Sequence, residues 1–227
     1  MEIKFHGQSC FELSEGDVTV LTDPFLKPNN PVAVATAEEV EPTHIALSHG
    51  HADHIADAVA VATRTGAECI AIVELAGWLG EQGVESVRDP NFGGTEEFDW
   101  GYVSLVPAWH TNTTPDGTAI GPAAGLVIKI GGTTVYHAGD TCLFSDMKLI
   151  AQRSDIDVFL VPIGGHYTMD RRDAVIAVEF VGAKTVIPMH YNTFPAIEAD
   201  AEAFRSDVEA ATSSQVVVLE PGQSHSL

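Results

Sequence analysis

Apolar and polar residues alternate in three short runs near the start of the chain, Ile3–Phe5, Cys10–Leu13 and Val18–Thr22. A period of two buries one face of each run, so all three read as β-strands, with Ser14-Glu15-Gly16-Asp17 turning the last two into a hairpin. Ile45–Ser48 is a short apolar run that stops at a cluster of histidines, after which Asp53 to Thr65 reads as an alanine-rich helix ended by Gly66. Cys69–Val73 then predicts a strand, Leu75–Gln82 a helix, and Val103–Pro107 a strand that runs into Trp109-His110. A second hairpin follows, Leu126–Ile130 and Thr133–His137 about Gly131-Gly132. The remainder alternates: a helix over Ser145–Arg153, a strand at Val158–Pro162, a helix over Arg171–Val181, a strand at Thr185–Pro188, a helix over Ala199–Ala210 and a last strand at Val216–Leu219. This order predicts an α/β or mixed α+β architecture.

Laying Phe11–Leu21 over Leu126–Tyr136 puts Gly16 on Gly131 and Val20 on Val135, an echo that points to two similar halves. No Pro/Gly/Ser-rich linker separates them, and residues 1–227 are expected to form one domain. No apolar run approaches the ~18 residues that would span a bilayer, and the N-terminus has no basic-then-apolar signal, so a cytoplasmic protein without membrane partners is expected. The 3 cysteines, Cys10, Cys69 and Cys142, are far apart and lack a CxxC spacing, which suggests neither a disulfide framework nor a thiolate zinc site.

Charge narrows the choice of partner. Asp and Glu number 32 against 11 Lys and Arg, a formal net charge of −21. Such a field repels polyanions, so nucleic acid is not an expected partner and a small-molecule substrate is. Oligomeric state is left open, with self-association to wall an active site as one option.

The chemistry sits in Ser48-His49-Gly50-His51-Ala52-Asp53-His54, between an apolar strand and a helix. Imidazole and carboxylate are ligands for zinc, manganese and iron, and the small residues between them let the loop bend so that several side chains converge. His49 and His51 can grip one ion, while Asp53 and His54 face a neighbouring position. The surplus of ligands suggests two divalent ions roughly 3.5–4 Å apart, a spacing at which a bridging water is ionised and a leaving oxygen is steadied. Further ligands stand at strand ends: His110, Asp140 and His190 each follow an apolar run.

This pattern, HxHxDH followed by a histidine, an aspartate and a histidine, resembles that of the metallo-β-lactamase-fold metal-dependent hydrolases. The words FHGQSCFEL, TDPFL, LSHGHADH, YHAGDT, LFSDMKLI and PMHYNTFP are similar to one branch of small metal-dependent hydrolases related to the ascorbate-6-phosphate lactonases. The resemblance implies a four-layer αββα sandwich with metals at one edge. It implies that His49, His51 and His110 hold one ion, Asp53, His54 and His190 the other, and that Asp140 bridges both. Two ions per chain, zinc or manganese with iron also open, would then supply a hydroxide that attacks a small ester, lactone or phosphorylated substrate. Phosphodiester cleavage is an alternative, and an iron-dependent redox protein or a non-catalytic metal-binding protein is an alternative of another class.

Asp53 and Asp140 are expected to take part in catalysis as well as ligation, Asp140 by taking a proton as the intermediate collapses. Asp23 is expected to orient a metal-bound histidine by accepting its other ring N–H, although Asp23-Pro24 also reads as a turn. His166, in a loop after a strand like the ligand loops, is the leading extra catalytic candidate, as substrate binder or proton shuttle; an exposed loop histidine is the other reading. Thr141 either steadies a ligand or begins a turn. Tyr191 and Asn192 are candidates to polarise a substrate oxygen, the tyrosine otherwise packing under its loop. His6 and His137 read as structural histidines, Trp109 as a packing residue, and Asp170-Arg171-Arg172-Asp173 as a helix start.

Overall fold

In the computed structural model, which describes residues 1–227, the alternating segments pair as expected. β1 (Glu2–Gly7), β2 (Cys10–Glu15) and β3 (Val18–Thr22) form an antiparallel meander. Phe11 and Leu13 are buried on β2, while Glu12 and Ser14 between them are only half-buried, as a period of two requires. The parallel strands β4 (His44–Ala46), β5 (Glu68–Ile70) and β6 (Val87–Arg88) extend this sheet on one side, and β14 (Ser224–Ser226) pairs with β1 on the other.

The second sheet repeats the plan. β7 (Thr95–Phe98), β8 (Gly101–Pro107), β9 (Ala124–Ile130) and β10 (Thr133–His137) are antiparallel neighbours, and β11 (Val158–Pro162), β12 (Thr185–Met189) and β13 (Gln215–Val216) follow in parallel. Each sheet therefore has 7 strands, with three antiparallel pairings followed by three parallel ones. The echo in the sequence is this repeat: Gly16 and Gly131 turn the β2–β3 and β9–β10 hairpins at φ of 59° and 57°, a conformation that costs glycine nothing.

Parallel neighbours need crossovers, and helices supply nearly all of them. α1 (Ala52–Ile55) and α2 (Ala58–Thr65) link β4 to β5, and α3 (Val73–Glu81) links β5 to β6. In the second sheet α4 (Met147–Arg153), α5 (Arg171–Val181) and α6 (Ala201–Ala211) serve the three parallel steps. The exception is the β3–β4 connection, Asp23 to Thr43, which stays irregular and folds back beside α1. The sheets face each other with helices outside, a four-layer αββα sandwich. Its core runs from Ile3 to Leu219, and Phe11 of β2 meets the ring edge of His137 of β10 at 6.1 Å across the interface.

Several boundaries differ from the expectation, and for one of them the tertiary reason is plain. The helix read over Asp53–Thr65 breaks between α1 and α2, where Asp57 accepts hydrogen bonds from the Leu26 backbone N–H (2.6 Å) and from Asn29 Nδ2 (2.8 Å) and so anchors the irregular connection. Strand β5 ends at Ile70, and the following helix begins at Val73. β6, β7 and β14, at the sheet edges, have no clear apolar alternation of their own. Asp170 caps α5 by accepting from the backbone N–H groups of Arg172 and Asp173, as read from the sequence.

Candidate metal centre

Four strands deliver the chemistry to one edge of the sandwich. β4 leads into the histidine-rich turn and α1, β8 into His110, β10 into Asp140 and β12 into His190. One donor atom each from His49, His51 and His110 lie within 4.8 Å of one another, and so do one each from Asp53, His54, Asp140 and His190. Asp140 stands between the two groups. Its Oδ2 is 3.9 Å from His49 Nε2, 3.6 Å from His110 Nε2 and 3.1 Å from His190 Nε2, while its Oδ1 is 3.3 Å from His54 Nε2. All seven residues singled out as ligands are thus brought together at this edge, three histidines in one group and Asp140 with Asp53, His54 and His190 in the other.

Asp23 fixes the orientation of two of these histidines. Its Oδ2 accepts from His54 Nδ1 (2.8 Å) and from the Ser48 hydroxyl (2.6 Å), and its Oδ1 accepts from the Ser48 backbone N–H (2.8 Å). With its proton given to Asp23, Ser48 Oγ accepts from His49 Nδ1 at 3.0 Å. Both imidazoles therefore turn Nε2 toward the cluster. Backbone strain accompanies this order: Asp23, His190 and Gln8 adopt φ of 41°, 54° and 55°, a region non-glycine residues occupy at a cost of roughly 1–3 kcal/mol when the surroundings enforce it.

Two positioning residues escaped the sequence reading. Gln8, buried in the β1–β2 turn, donates from Nε2 to Asp53 Oδ2 (2.8 Å), and its carbonyl accepts the His190 backbone N–H (2.8 Å). Asn112 accepts from the Gly50 backbone N–H (2.8 Å) and donates to the carbonyls of Ile120 and Pro122, which ties the loop after His110 to the histidine-rich turn. The only signal for either was its place beside a motif word, Gln8 in FHGQSC and Asn112 two residues after His110.

The electrostatics separate the groups. Burial, reinforced by neighbouring histidines, holds His49 well below the ordinary imidazole range, and burial lowers His51 and His110 too. Burial also opposes charge on His54 and His190, but the Asp140 and Asp53 carboxylates outweigh it, raising His54 well above its ordinary value and His190 to about 9. Asp140 is held well below the carboxylate range by His190 and His54 in spite of its own burial. Buried polar atoms are normally satisfied. Here His54 Nε2, His190 Nε2 and Asp140 Oδ1 have no hydrogen-bond partner. Imidazole nitrogens and carboxylate oxygens at these separations form a donor set for a first-row divalent ion, and an ion among them would satisfy all three orphaned atoms.

A cleft of about 650 Å³ opens over the cluster, bounded by Gln8, Phe25, Asn29, Tyr167, Phe194 and Ala196 beyond the ligands. His166 does not line it. Its ring is exposed and lies edge-on to Tyr167 at 4.4 Å, and it is Tyr167 that reaches the cleft. Thr141 Oγ1 accepts the Trp109 backbone N–H (3.0 Å), steadying the His110 loop and not a ligand ring. Tyr191 packs half-buried against the core with its hydroxyl raised to about 12 by burial, and Asn192 Oδ1 accepts from the Ala199 backbone N–H, so both face away from the cleft. His137 is structural: Nε2 donates to the Ser9 carbonyl (2.9 Å) and Nδ1 accepts from the Gly139 N–H (3.1 Å). His6 pairs with Glu12 at 3.2 Å, and Cys142 is exposed. Trp109 departs from its expected packing role, since it is 67% exposed with only its backbone tied down.

Residues 2–190 match the family described as the beta-lactamase superfamily domain. The chain belongs to the metallo-β-lactamase superfamily. Within this superfamily it is 44% identical over 224 residues to a UPF0173 metal-dependent hydrolase of Natranaerobius thermophilus, covering 99% of this chain and 98% of the relative. A UPF0173 metal-dependent hydrolase of Methanopyrus kandleri is 43% identical over 229 residues, with 99% of each chain covered. Among solved structures, Igni18, a metallo hydrolase of Ignicoccus hospitalis, superposes with a TM-score of 0.90 at 36% identity over 99% of this chain and 97% of that one. This superfamily member is accordingly a metal-dependent hydrolase, and its sandwich is the superfamily fold. No helix is long and apolar enough to cross a membrane.

Proposed function

We propose that the protein hydrolyses a small ester or lactone with two divalent ions, one in each donor group. The observation that carries this reading is Asp140, whose two oxygens face both groups at 3.1–3.9 Å. When bound, such a pair of ions supplies a hydroxide at neutral pH and a Lewis acid for the departing oxygen. Water adds across the acyl C–O bond, which yields an acid and an alcohol. The protein's part is positioning: Asp23 holds His54 and, through Ser48, His49; Gln8 holds Asp53; Asn112 holds the turn that carries His49 and His51. As the acyl–oxygen bond breaks, Asp140 carries the hydroxyl proton of the collapsing tetrahedral intermediate to the leaving oxygen.

Elemental analysis joined to an ester and lactone panel tests this. Two ions per chain, one of them lost with activity in His110→Ala, and Asp140→Ala folded but inactive are the expected results. A chain that turns over normally with one ion, or an Asp140→Ala variant with wild-type turnover, would overturn the mechanism.

A further inference from the structure

The walls of the cleft carry information about substrate charge that the ligands do not. Three aromatic rings line it: the buried Phe25 and the more exposed Phe194, with centroids 6.3 Å apart, and Tyr167, which is 56% exposed. None of the 11 lysines and arginines lines it. Arg64, Arg88, Arg171 and Lys184 are instead paired with Glu41, Glu68, Asp207 and Asp157 elsewhere on the surface. The cleft's two amides are neutral, and each already gives one N–H to a carboxylate, Gln8 Nε2 to Asp53 and Asn29 Nδ2 to Asp57, both at 2.8 Å.

A phosphate or carboxylate on the part of the substrate remote from the scissile bond would leave water for aromatic surface, with no counter-charge to meet it. The chain's net charge of −21 adds to the cost. Positive charge enters this cleft only at its floor, with the ions, where the reacting group itself must lie. Apolar walls with few polar groups suit an uncharged organic body.

We infer that the cleft takes a substrate whose body beyond the reacting group is uncharged and aromatic or bulky-apolar, and that it discriminates against phosphorylated or carboxylated bodies. The inference rests on the hydrolase reading above for the position of the reacting group, and it narrows that reading away from phosphorylated substrates.

The test uses the metal-loaded protein and two readouts. Benzohydroxamic acid and 4-carboxybenzohydroxamic acid share one metal-seeking head and differ only in a remote charge, so calorimetry reads the walls without turnover. Phenyl acetate and 4-carboxyphenyl acetate, corrected for their rates with hydroxide, read the same difference in kcat/KM. The neutral member of each pair is expected to be favoured by about tenfold or more, the scale of one unmatched charge in a partly buried site. Ala196→Lys, which sets a cation at the exposed rim, is expected to narrow the gap. Equal or tighter binding of the carboxylated hydroxamate, or binding of neither hydroxamate, overturns the inference, whatever the esters do. A preference among hydroxamates with no ester cleaved by the metal-loaded protein upholds it and sinks ester hydrolysis instead.

Discussion

Replacing Asp23 with asparagine isolates the task of one buried carboxylate. Asparagine has nearly the same size and tolerates the φ of 41° at this position, so the backbone is not the variable. The carboxylate serves three donors: the Ser48 N–H at Oδ1, and the Ser48 hydroxyl and His54 Nδ1 at Oδ2, all at 2.6–2.8 Å. In the amide, an NH2 group must take one of the two oxygen positions. At the first it meets the Ser48 N–H; at the second it meets the imidazole N–H. Asp23, Ser48 and His54 are all inaccessible to solvent, so no water relieves the mismatch. A hydrogen bond to a charged group contributes about 1.5–3 kcal/mol and an unmet buried donor costs about 1–3 kcal/mol, so a loss of about 2–4 kcal/mol is expected. Urea unfolding followed by circular dichroism measures it, as a lower midpoint at unchanged slope. Loosening of a residue that orients a ligand typically weakens metal binding about 10–100-fold, and chelator competition is expected to show that loss first in the group containing His54. A variant within about 0.5 kcal/mol of wild type that holds both ions undiminished would refute the orienting role.

Other perturbations probe the same architecture. Gln8→Ala removes the donor to Asp53 and is expected to weaken the ion of the Asp53–His54–Asp140–His190 group by about tenfold while sparing the three-histidine group; metal stoichiometry at limiting metal distinguishes the two. Gly164→Ala would set a Cβ 2.2 Å from the His190 carbonyl oxygen, so the ligand loop must shift; a stability loss of about 2 kcal/mol or more is expected in thermal unfolding. Binding to the four-residue group is expected to release protons at pH 7, because burial there is outweighed by the carboxylates that raise His54 and hold His190 near 9. Affinity in that group therefore rises with pH until both His54 and His190 have titrated, whereas the three-histidine group, with all its imidazoles lowered, exchanges few protons. Calorimetry in buffers of different ionisation heat reads the difference, and equal proton release by both groups would contradict the assignment.

The ligands were legible because each stands in a local pattern, a histidine or aspartate where an apolar strand ends. The hairpins were legible for a similar reason: Phe11 and Leu13 obey the two-residue period that burial of one face demands, while Leu126–Ile128 is an apolar run buried on both faces that ends at the Gly131 turn. What escaped depends on partners remote in sequence. The polar segment Thr95–Phe98 is a strand because β8 offers it an edge. The break at Asp57 exists because the Leu26 N–H recruits its side chain. Gln8 matters only because a left-handed turn brings it between residues of two other loops, and the neutral character of the cleft follows from where the basic residues are not. Local patterning reports elements and their ends; it is silent on which ends meet.

The two sheets do not contribute equally to each donor group, and this bears on the order in which a growing chain can acquire its ions. Translation exposes His49 and His51 first and His110 next, so the three-histidine group has all its members before β10 exists. The other group waits for His190, at the end of β12, by which time both sheets are nearly built. If each group holds an ion as proposed, the donors for one are all present on the growing chain while the donors for the other still await the end of β12. Loading would then be sequential by birth order, and scarcity of metal would leave chains filled at the older position and empty at the younger.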